Sequence, residues 1–388
     1  MKTNILFTSV LLCILIAIPI TAEETENKDL DLAIDAKSAL LMEKDTGKIL
    51  YDENIHETLP PASMTKIMTL LLIMEALDQD KLALNETVRI SEHAASMGGS
   101  QIFLESGEEM SVEDLLKGIA IASGNDASVA LAEAIAGSED AFVKKMNEKA
   151  KDLGLKNTHF QNTTGLPAED HYSTAHDLAI MAQELLKYES ITDYTSIYED
   201  YLRKGEEDEF WLVNTNKLVK FYPGVDGLKT GYTSEAKYGL TATAKQDDMR
   251  VIAVIMGAET TKERNKMISN MLDYAFNHYE TKKLFEKDET ITNVQLLKAE
   301  EKHINIAVSE PISTIHKKGE SPKEIETSVE LSDNLTPPLK KGDHAGELVV
   351  KSGGKTISKT PLVITHDVHH ASLLTLFKRA IGEMVQEN

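Results

Sequence analysis

The segment Pro61-Ala62-Ser63-Met64-Thr65-Lys66 leads directly into a long apolar run, and this junction decides the fold. Apolar residues at helical spacing predict a helix over about 64–77, and Pro60-Pro61 stops regular structure before it. Ser63 and Lys66 are three residues apart, so at a helix start their side chains share one face. A lysine activates a serine hydroxyl only when burial or a second cation lowers its pKa. The alternative is a surface serine beside a solvated lysine.

The motif Ser-x-x-Lys also occurs at Ser234 and Ser352, so the motif alone means little. Only the copy at Ser63 opens a long apolar helical pattern. It is also the only copy followed in order by Ser123-Gly124-Asn125 and Lys229-Thr230-Gly231. The three segments together supply a nucleophile, an amine to activate it, a hydroxyl and amide pair, and a further cation. Covalent acyl transfer at a serine requires this combination of groups.

The second segment, Ser123-Gly124-Asn125, interrupts a run of small apolar residues. Polar groups between buried helices need partners. We therefore expect Ser123 to pass a proton to a leaving amine and Asn125 to bond a substrate amide. The alternative is an ordinary loop between two helices.

The third segment is expected to open a strand. A glycine at Gly231 allows close approach of a ligand backbone, and an edge strand aligns a peptide by main-chain pairing. Lys229 and Thr230 are candidates for holding a carboxylate, by charge and by a hydroxyl hydrogen bond. The alternative is simply a strand that starts after the turn signals Pro223-Gly224 and Asp226-Gly227.

The composition limits the possible functions. The chain has 388 residues, is 41% hydrophobic and carries a formal net charge of −22. This is enough apolar content for a core, and no basic patch is visible. The composition therefore argues against nucleic-acid binding, because contacts to phosphates need basic patches.

The N-terminus predicts export. Residues 1–22 read as a signal peptide, with Lys2 as the early charge, an apolar stretch over 5–20 and a small residue at Ala22. The alternative is an uncleaved membrane anchor. The single cysteine, Cys13, lies in this segment, so the mature protein is expected to have no disulfide and no thiol chemistry. Residues 23–36 are polar and acidic and predict a flexible leader.

Residues 37–284 predict one domain with an antiparallel sheet flanked by helices. A β-hairpin is expected around Asp45-Thr46-Gly47, and strands are expected at 238–244 and 250–256. Helices are expected at 127–136, 174–187 and 261–279.

Residues 288–366 predict a small β-rich domain, with strands at 290–297, 303–308, 325–331, 347–350 and 356–364. Residues 370–388 predict an amphipathic helix, with Leu373, Leu374 and Phe377 on its apolar stripe. Such a helix on an exported protein lies in a membrane interface. The alternative is that it docks on its own β-rich domain.

The ordered triple resembles the penicillin-binding proteins and serine β-lactamases. Ser-Gly-Asn as the second element, the β-rich domain and the terminal helix are similar to the low-molecular-mass D-alanyl-D-alanine carboxypeptidases, in particular those of spore-forming Gram-positive bacteria. The resemblance implies an α+β fold: a penicillin-recognising transpeptidase/β-lactamase-like domain with a helical subdomain, then the small all-β domain and the helix. It implies no cofactor.

The resemblance also implies roles for residues. Ser63 would be acylated by the penultimate D-alanine of a peptidoglycan pentapeptide stem, or by a β-lactam antibiotic, with Lys66 as general base and Ser123 as proton relay. The oxyanion hole would be the backbone N–H groups of Ser63 and Tyr232. The expected substrate-binding residues are Asn125, Lys229, Thr230, Gly231, Arg264 and His171. His171 has an alternative as a capping or core histidine.

Other interpretations stay open at this point. A class A β-lactamase carries a Glu-x-x-Leu-Asn loop for deacylation, and no such sequence occurs between Asn125 and Lys229. A non-catalytic cell-wall or β-lactam-binding protein is disfavoured because all reactive residues are present. The histidines His366, His369 and His370 lack neighbouring cysteine or paired acidic ligands, so we expect no metal site. The protein is expected on the outer face of the cytoplasmic membrane, in contact with the cell wall.

Overall fold

The computed structural model describes residues 30–320 and 324–386. The predicted signal peptide 1–22, with Cys13, and the first half of the predicted leader, residues 23–29, lie outside the described residues. The helices of the described residues are α1 (Lys66–Asp78), α2 (Glu92–Ala95), α3 (Val112–Ala122), α4 (Asn125–Ala136), α5 (Glu139–Asp152), α6 (Ala175–Leu185), α7 (Ile191–Thr195), α8 (Leu218–Phe221), α9 (Thr261–His278) and α10 (Leu373–Gln386).

The strands are β1 (Ser38–Glu43), β2 (Ile49–Glu53), β3 (Thr87–Arg89), β4 (Glu109–Ser111), β5 (Glu199–Leu202), β6 (Phe210–Val213), β7 (Val225–Thr233), β8 (Lys237–Gln246), β9 (Met249–Ala258), β10 (Tyr279–Phe285), β11 (Thr290–Gln295), β12 (His303–Val308), β13 (Ile312–Lys317), β14 (Ile325–Leu331), β15 (His344–Ser352) and β16 (Lys355–Ile364). The predicted hairpin, the helix after Ser63 and the strands β8 and β9 are confirmed.

The main sheet is antiparallel, with the strand order β2-β1-β9-β8-β7. Strand β7 therefore lies at an edge. Lys229, Thr230 and Gly231 lie in the middle of this strand, so the expectation that they open it is wrong. The supposed turn at Asp226-Gly227 is part of the strand, because Gly227 allows close packing there: a Cβ on it would lie 2.7 Å from Thr195 Oγ1.

Helices pack on this sheet and on one another to form the core. Helices α6 and α9 contact β9 and β1, and α1 packs against α6, α3 and α4. Helix α1 is buried on almost all sides, as expected for a helix that is apolar around its circumference. Its first residue, Lys66, is therefore held inside the domain, directly after the turn that carries Ser63.

The C-terminal strands form a second antiparallel sheet, in the order β11-β12-β16-β15-β14, with its own core around Ile306, Leu348 and Leu362. The five strands expected here are present. Strand β13 was not expected; it pairs with β10, which begins at Tyr279, where the sequence predicts helix. The exact domain boundaries, 37–284 and 288–366, stay a prediction.

The predicted C-terminal helix corresponds to α10. Leu373, Leu374 and Phe377 are 86%, 64% and 65% exposed. Arg379 donates hydrogen bonds to the carbonyls of Leu297, Ala299 and Glu300, which tie the helix to the second sheet's turn. Among the residues that the structure describes, no helix combines the length and apolar character needed to cross a membrane.

Candidate active site

The turn that carries Ser63 is a 3-10 turn, Ala62–Thr65, leading into α1. Side chains at positions i and i+3 of a 3-10 turn eclipse each other, which brings Ser63 and Lys66 together. Ala62 has a φ of 48°, a left-handed conformation that is uncommon for a residue with a side chain. Such strain persists only where the surrounding structure holds it in place, as it does at many active sites.

The ammonium of Lys66 is fully buried and makes three contacts. It lies 3.3 Å from Ser63 Oγ, 2.5 Å from Asn125 Oδ1 and 2.9 Å from the carbonyl oxygen of Thr164. An ammonium has three N–H donors, and these contacts use all of them. When the amine is neutral, two donors still satisfy Asn125 and Thr164, and the lone pair faces the hydroxyl of Ser63.

The electrostatic surroundings favour this neutral form. Burial lowers the pKa of Lys66 well below its usual value, the charge of Lys229 lowers it further, and the carboxylate of Asp126 opposes both effects. A lowered pKa is the property that a lysine needs in order to act as a general base.

The Ser-Gly-Asn segment connects α3 to α4. Ser123 caps the end of α3 with a φ of 64°, and Asn125 begins α4. The Asn125 side chain is fixed at both ends, since its Oδ1 accepts from Lys66 and its Nδ2 donates to the carbonyl of Gly98. Ser123 Oγ is buried and has no hydrogen-bond partner among the described residues. A buried hydroxyl without a partner is able to bond a group that enters the cleft.

The third segment contributes a second buried cation. Lys229 on β7 is fully buried, and its Nζ donates to the carbonyl of Thr230 at 3.3 Å. Burial, and then the charge of Arg264, lower the pKa of Lys229 from 10.5 to about 7. The hydroxyl of Thr230 lies 2.8 Å from that of Thr215, a residue that sequence reasoning missed.

Arg264 lies in the first turns of α9 and is 3% exposed. Its guanidinium donates to Asn265 Oδ1 and, at 3.4 Å, to the carbonyl of Gly239. Burial lowers the pKa of Arg264 to about 10. Within the described residues, neither Lys229 nor Arg264 has a carboxylate at ion-pair distance, so this end of the cleft carries uncompensated positive charge.

Strand β7 and the Ser63 turn are in direct contact at Gly231. A Cβ on Gly231 would lie 2.7 Å from the carbonyl oxygen of Pro61 and 3.2 Å from Ala62 Cβ, so a larger residue does not fit without displacement. This contact brings the backbone of Tyr232 close to the turn that carries Ser63. The Tyr232 ring itself is 54% exposed and stacks on Tyr238 at 4.4 Å.

The sequence left His171 open as a residue that lines the cleft or as a core histidine, and its position in the structure fits both descriptions. It borders a cavity beside Ser63, and its ring is buried and fully bonded. The Gln161 N–H donates to Nδ1, so Nε2 carries the proton and donates to Thr65 Oγ1 at 2.8 Å. Burial lowers the pKa of His171 to about 4, so the ring is neutral at pH 7. Its bonded atoms support the turn that carries Ser63.

Three further residues at the site were not predicted from the sequence. Thr164 supplies a carbonyl to Lys66, and Gly165 follows it with a φ of +83°. A Cβ on Gly165 would lie 1.8 Å from the carbonyl oxygen of Ala62, so any side chain there requires the turn to shift. Asp126 accepts from the backbone N–H groups of Ile102 and Leu104 and faces Lys66 electrostatically. The pair Thr164-Gly165 is a turn signal, but nothing in it indicates a contact with Lys66.

The described residues contain no group of three or more His, Cys, Asp or Glu side chains arranged to hold a metal ion. His366, one of the three histidines considered as ligands, lies 3.1 Å from Glu301.

Comparisons with known proteins identify the family of the chain. Residues 22–260 match the family described as D-alanyl-D-alanine carboxypeptidase, and residues 279–370 match the C-terminal domain of penicillin-binding protein 5. The first match spans more than half of the chain, so the chain belongs to the D-alanyl-D-alanine carboxypeptidase family of serine hydrolases. The expected family, fold class and enzyme class are confirmed.

Individual relatives cover most of the chain. The carboxypeptidase DacF of Bacillus subtilis is 57% identical over 362 residues, which is 93% of each chain. Penicillin-binding protein 5 from Haemophilus influenzae has a TM-score of 0.66 at 33% identity, over 86% of this chain and 98% of that one. Penicillin-binding protein D2 from Listeria monocytogenes, solved in an ampicillin-bound form, has a TM-score of 0.57 at 30% identity, over 62% and 98%.

Proposed function

We propose that this carboxypeptidase removes the terminal D-alanine of peptidoglycan stem peptides through an acyl-enzyme formed on Ser63. The observation that carries the proposal is the contact of 3.3 Å between the buried Lys66 Nζ and Ser63 Oγ. A serine beside an amine of lowered pKa is an activated nucleophile.

In the acylation step, neutral Lys66 takes the proton of Ser63 as the oxygen attacks the carbonyl of the penultimate D-alanine. The N–H groups of Ser63 and Tyr232 stabilise the oxyanion, since both belong to segments in contact at Gly231. Collapse of the tetrahedral intermediate breaks the peptide bond, and the leaving amine of D-alanine takes its proton through Ser123. The buried, unpaired hydroxyl of Ser123 supports this role.

Substrate orientation comes from the positive end of the cleft. The terminal carboxylate binds Thr230 by a hydrogen bond and Lys229 and Arg264 by charge, because these buried cations have no carboxylate partner of their own in the described residues. Asn125 bonds a substrate amide while it fixes Lys66. The edge strand β7 aligns the peptide backbone by main-chain pairing, with Gly231 allowing close approach.

Deacylation requires a water molecule activated by Lys66, which returns the proton to Ser63 when the acyl bond breaks. A β-lactam acylates the same serine, but its leaving group stays attached to the acyl portion. The ampicillin-bound form of the Listeria relative supports β-lactam binding at this kind of site.

The test measures D-alanine release from Nα,Nε-diacetyl-L-Lys-D-Ala-D-Ala, together with mass spectrometry of penicillin-labelled protein. We expect release, a long-lived adduct on Ser63, and loss of both in Ser63→Ala with the fold retained. Labelling of Ser63→Ala would mean that the nucleophile is another residue. Rapid repeated turnover of benzylpenicillin would favour the β-lactamase alternative.

We further propose that the protein acts outside the cytoplasm and that α10 attaches it to the membrane surface. Two features of α10 support the attachment to the membrane surface. The apolar side chains Leu373, Leu374 and Phe377 are exposed, and Arg379 fixes the helix to carbonyls of the turn between β11 and β12. A helix held in this way presents an apolar face without spanning the bilayer.

A further inference from the structure

The hydroxyl of Thr230 is bonded to a residue that lies outside the three motifs. It donates to Thr215 Oγ1 at 2.8 Å. Thr230 is 8% exposed and Thr215 is half-buried, so the two hydroxyls meet where the cleft wall joins the interior. The mechanism described above uses Thr230 and gives Thr215 no part.

The segment that carries Thr215 is fixed by the two buried asparagines on either side of it. The side-chain amide of Asn216 donates to the carbonyl of Gly227 on β7 at 2.9 Å. The side-chain amide of Asn214 donates to the carbonyl of Thr195 at the end of α7, also at 2.9 Å. Asn214 Oδ1 in turn accepts from the Asn216 N–H at 2.8 Å. The position of Thr215 relative to β7 is therefore set by bonds that do not involve its own hydroxyl.

The main chain of Thr215 also reaches the Ser-Gly-Asn segment. Its N–H donates at 3.2 Å to the carbonyl of Ile121, which lies in the last turn of α3, two residues before Ser123. Thr215 thus connects the strand that carries Thr230 to the helix end that carries Ser123. The carboxylate and the leaving amine of the substrate belong to one D-alanine, so the spacing between Thr230 and Ser123 has to match that single residue.

We propose that Thr215 is a positioning residue for the terminal carboxylate and that it acts through the hydroxyl of Thr230. The proposal rests on the proposed function, because it takes Thr230 as a ligand of that carboxylate. It adds a group that strengthens substrate binding without touching the substrate.

The reasoning follows from the capacity of a hydroxyl, which donates one proton and accepts at two lone pairs. When a carboxylate binds, the proton of Thr230 turns to it, because a charged acceptor gives the stronger bond. Thr215 then turns its own proton to Thr230 Oγ1, and the pair becomes a chain that ends on the carboxylate. Hydrogen bonds in such a chain polarise one another, so Thr215 strengthens the bond that Thr230 makes.

The experiment compares two peptides that differ only at the terminal group: Nα,Nε-diacetyl-L-Lys-D-Ala-D-Ala and the same peptide with a C-terminal amide. In the wild type we expect kcat/KM to be about tenfold or more higher for the carboxylate. Thr215→Val is expected to lower kcat/KM about tenfold for the carboxylate and about twofold for the amide, so the ratio falls about fivefold. Thr215→Ala, which also lacks the hydroxyl, should give the same ratio.

Two controls separate positioning from a general structural role. Thr215→Ser keeps the hydroxyl and is expected to hold the ratio within about twofold of the wild type. Thr195→Val removes a different hydroxyl that also supports β7, since Thr195 Oγ1 donates to the carbonyl of Asp226 at 2.6 Å. We expect this variant to lose stability and to keep the wild-type ratio, because it leaves the bond between Thr215 and Thr230 in place.

The ratio decides the proposal. An unchanged ratio in both Thr215→Val and Thr215→Ala, or an equal loss of the ratio in Thr215→Ser or Thr195→Val, would overturn it. Failure of the proposed function is a different result, in which the wild type cleaves neither peptide and penicillin does not label Ser63.

Discussion

Lys66 and Lys229 are both fully buried, and the positive charge of Lys229 lowers the pKa of Lys66. Two cations in a protein interior are unfavourable for stability, since burial of an unpaired charge is costly. The arrangement is useful for catalysis, because a neutral amine at Lys66 is the form that accepts a proton. We therefore expect this cleft to trade stability for activity.

The first prediction tests whether the buried charge of Lys229 lowers stability while it supports activity. Lys229→Met keeps the side-chain length and removes the charge, so we expect the free energy of unfolding at pH 7 to rise by about 1 to 4 kcal/mol, with acylation lost. The pKa of Lys229 is about 7 when folded and 10.5 when unfolded, so the unfolded chain binds more protons between these values. Wild-type stability therefore rises with pH over this window, and the advantage of the variant shrinks from pH 7 to pH 10.5.

Urea denaturation of both proteins at pH 7 and pH 10 measures this difference. The control is Lys245→Met, an exposed lysine on the neighbouring strand β8, for which we expect no gain. A Lys229→Met protein less stable than the wild type at pH 7 would contradict the trade.

The elements that hydrophobic periodicity controls were predictable from the sequence. Helix α1 follows from its apolar run, and the β1–β2 hairpin follows from the turn at Asp45-Thr46-Gly47 between two apolar strands. Both features depend on residues that are close together in the sequence. Strand β13 was missed because Ile312–Lys317 gains its strand conformation by pairing with β10 and not from its own pattern.

The candidate site was predictable as a set of residues but not as an arrangement. Order along the chain pointed to Ser63, Lys66, Asn125 and Lys229. The contact of Lys66 with the Thr164 carbonyl joins residues 98 positions apart, and no local pattern indicates it. Local sequence also could not separate a cleft-lining His171 from a structural one, because its partner Thr65 is 106 positions away.

The second prediction concerns the close approach of Gly165 to Ala62. Gly165→Ala is expected to lower the free energy of unfolding by about 2 to 5 kcal/mol, since the new methyl overlaps the Ala62 carbonyl and the left-handed backbone disfavours alanine. We also expect slower penicillin acylation, because the turn that carries Ser63 must shift.

A control variant separates the effect of the overlap with Ala62 from the effect of the left-handed backbone conformation. Gly205 has the same φ of +83° and nothing within 4 Å of an added Cβ, so Gly205→Ala is expected to cost only about 1 kcal/mol and to leave acylation unchanged. Similar losses in the two variants, measured by urea denaturation, would show that overlap at Ala62 is unimportant.

The third prediction uses the pH dependence of stability. The folded pKa of His171 is about 4, below the ordinary value of 6.5, so the unfolded chain binds an extra proton between these values. Wild-type stability should therefore fall as pH drops from 6.5 to 4, by about 3 kcal/mol from this group alone. His171→Gln lacks this contribution, so its stability should fall less over the same range.

The measurement is the difference in unfolding free energy between the wild type and His171→Gln at pH 7 and at pH 4, which cancels the titration of shared carboxylates. His303→Gln, at an exposed position on β12, serves as the control and should follow the wild type. Parallel curves for the wild type and His171→Gln would refute the assignment.

The fourth prediction concerns membrane attachment by α10. Leu374→Glu/Phe377→Glu replaces exposed apolar side chains by charges, so we expect co-sedimentation with lipid vesicles to fall by about tenfold or more. Removal of residues 370–388 should have the same effect. The control Val329→Glu/Ile357→Glu adds the same charge at exposed apolar positions of β14 and β16, and should leave vesicle binding unchanged if α10 is the attachment site. Continued sedimentation of the α10 variant, or release of the control, would point to another surface.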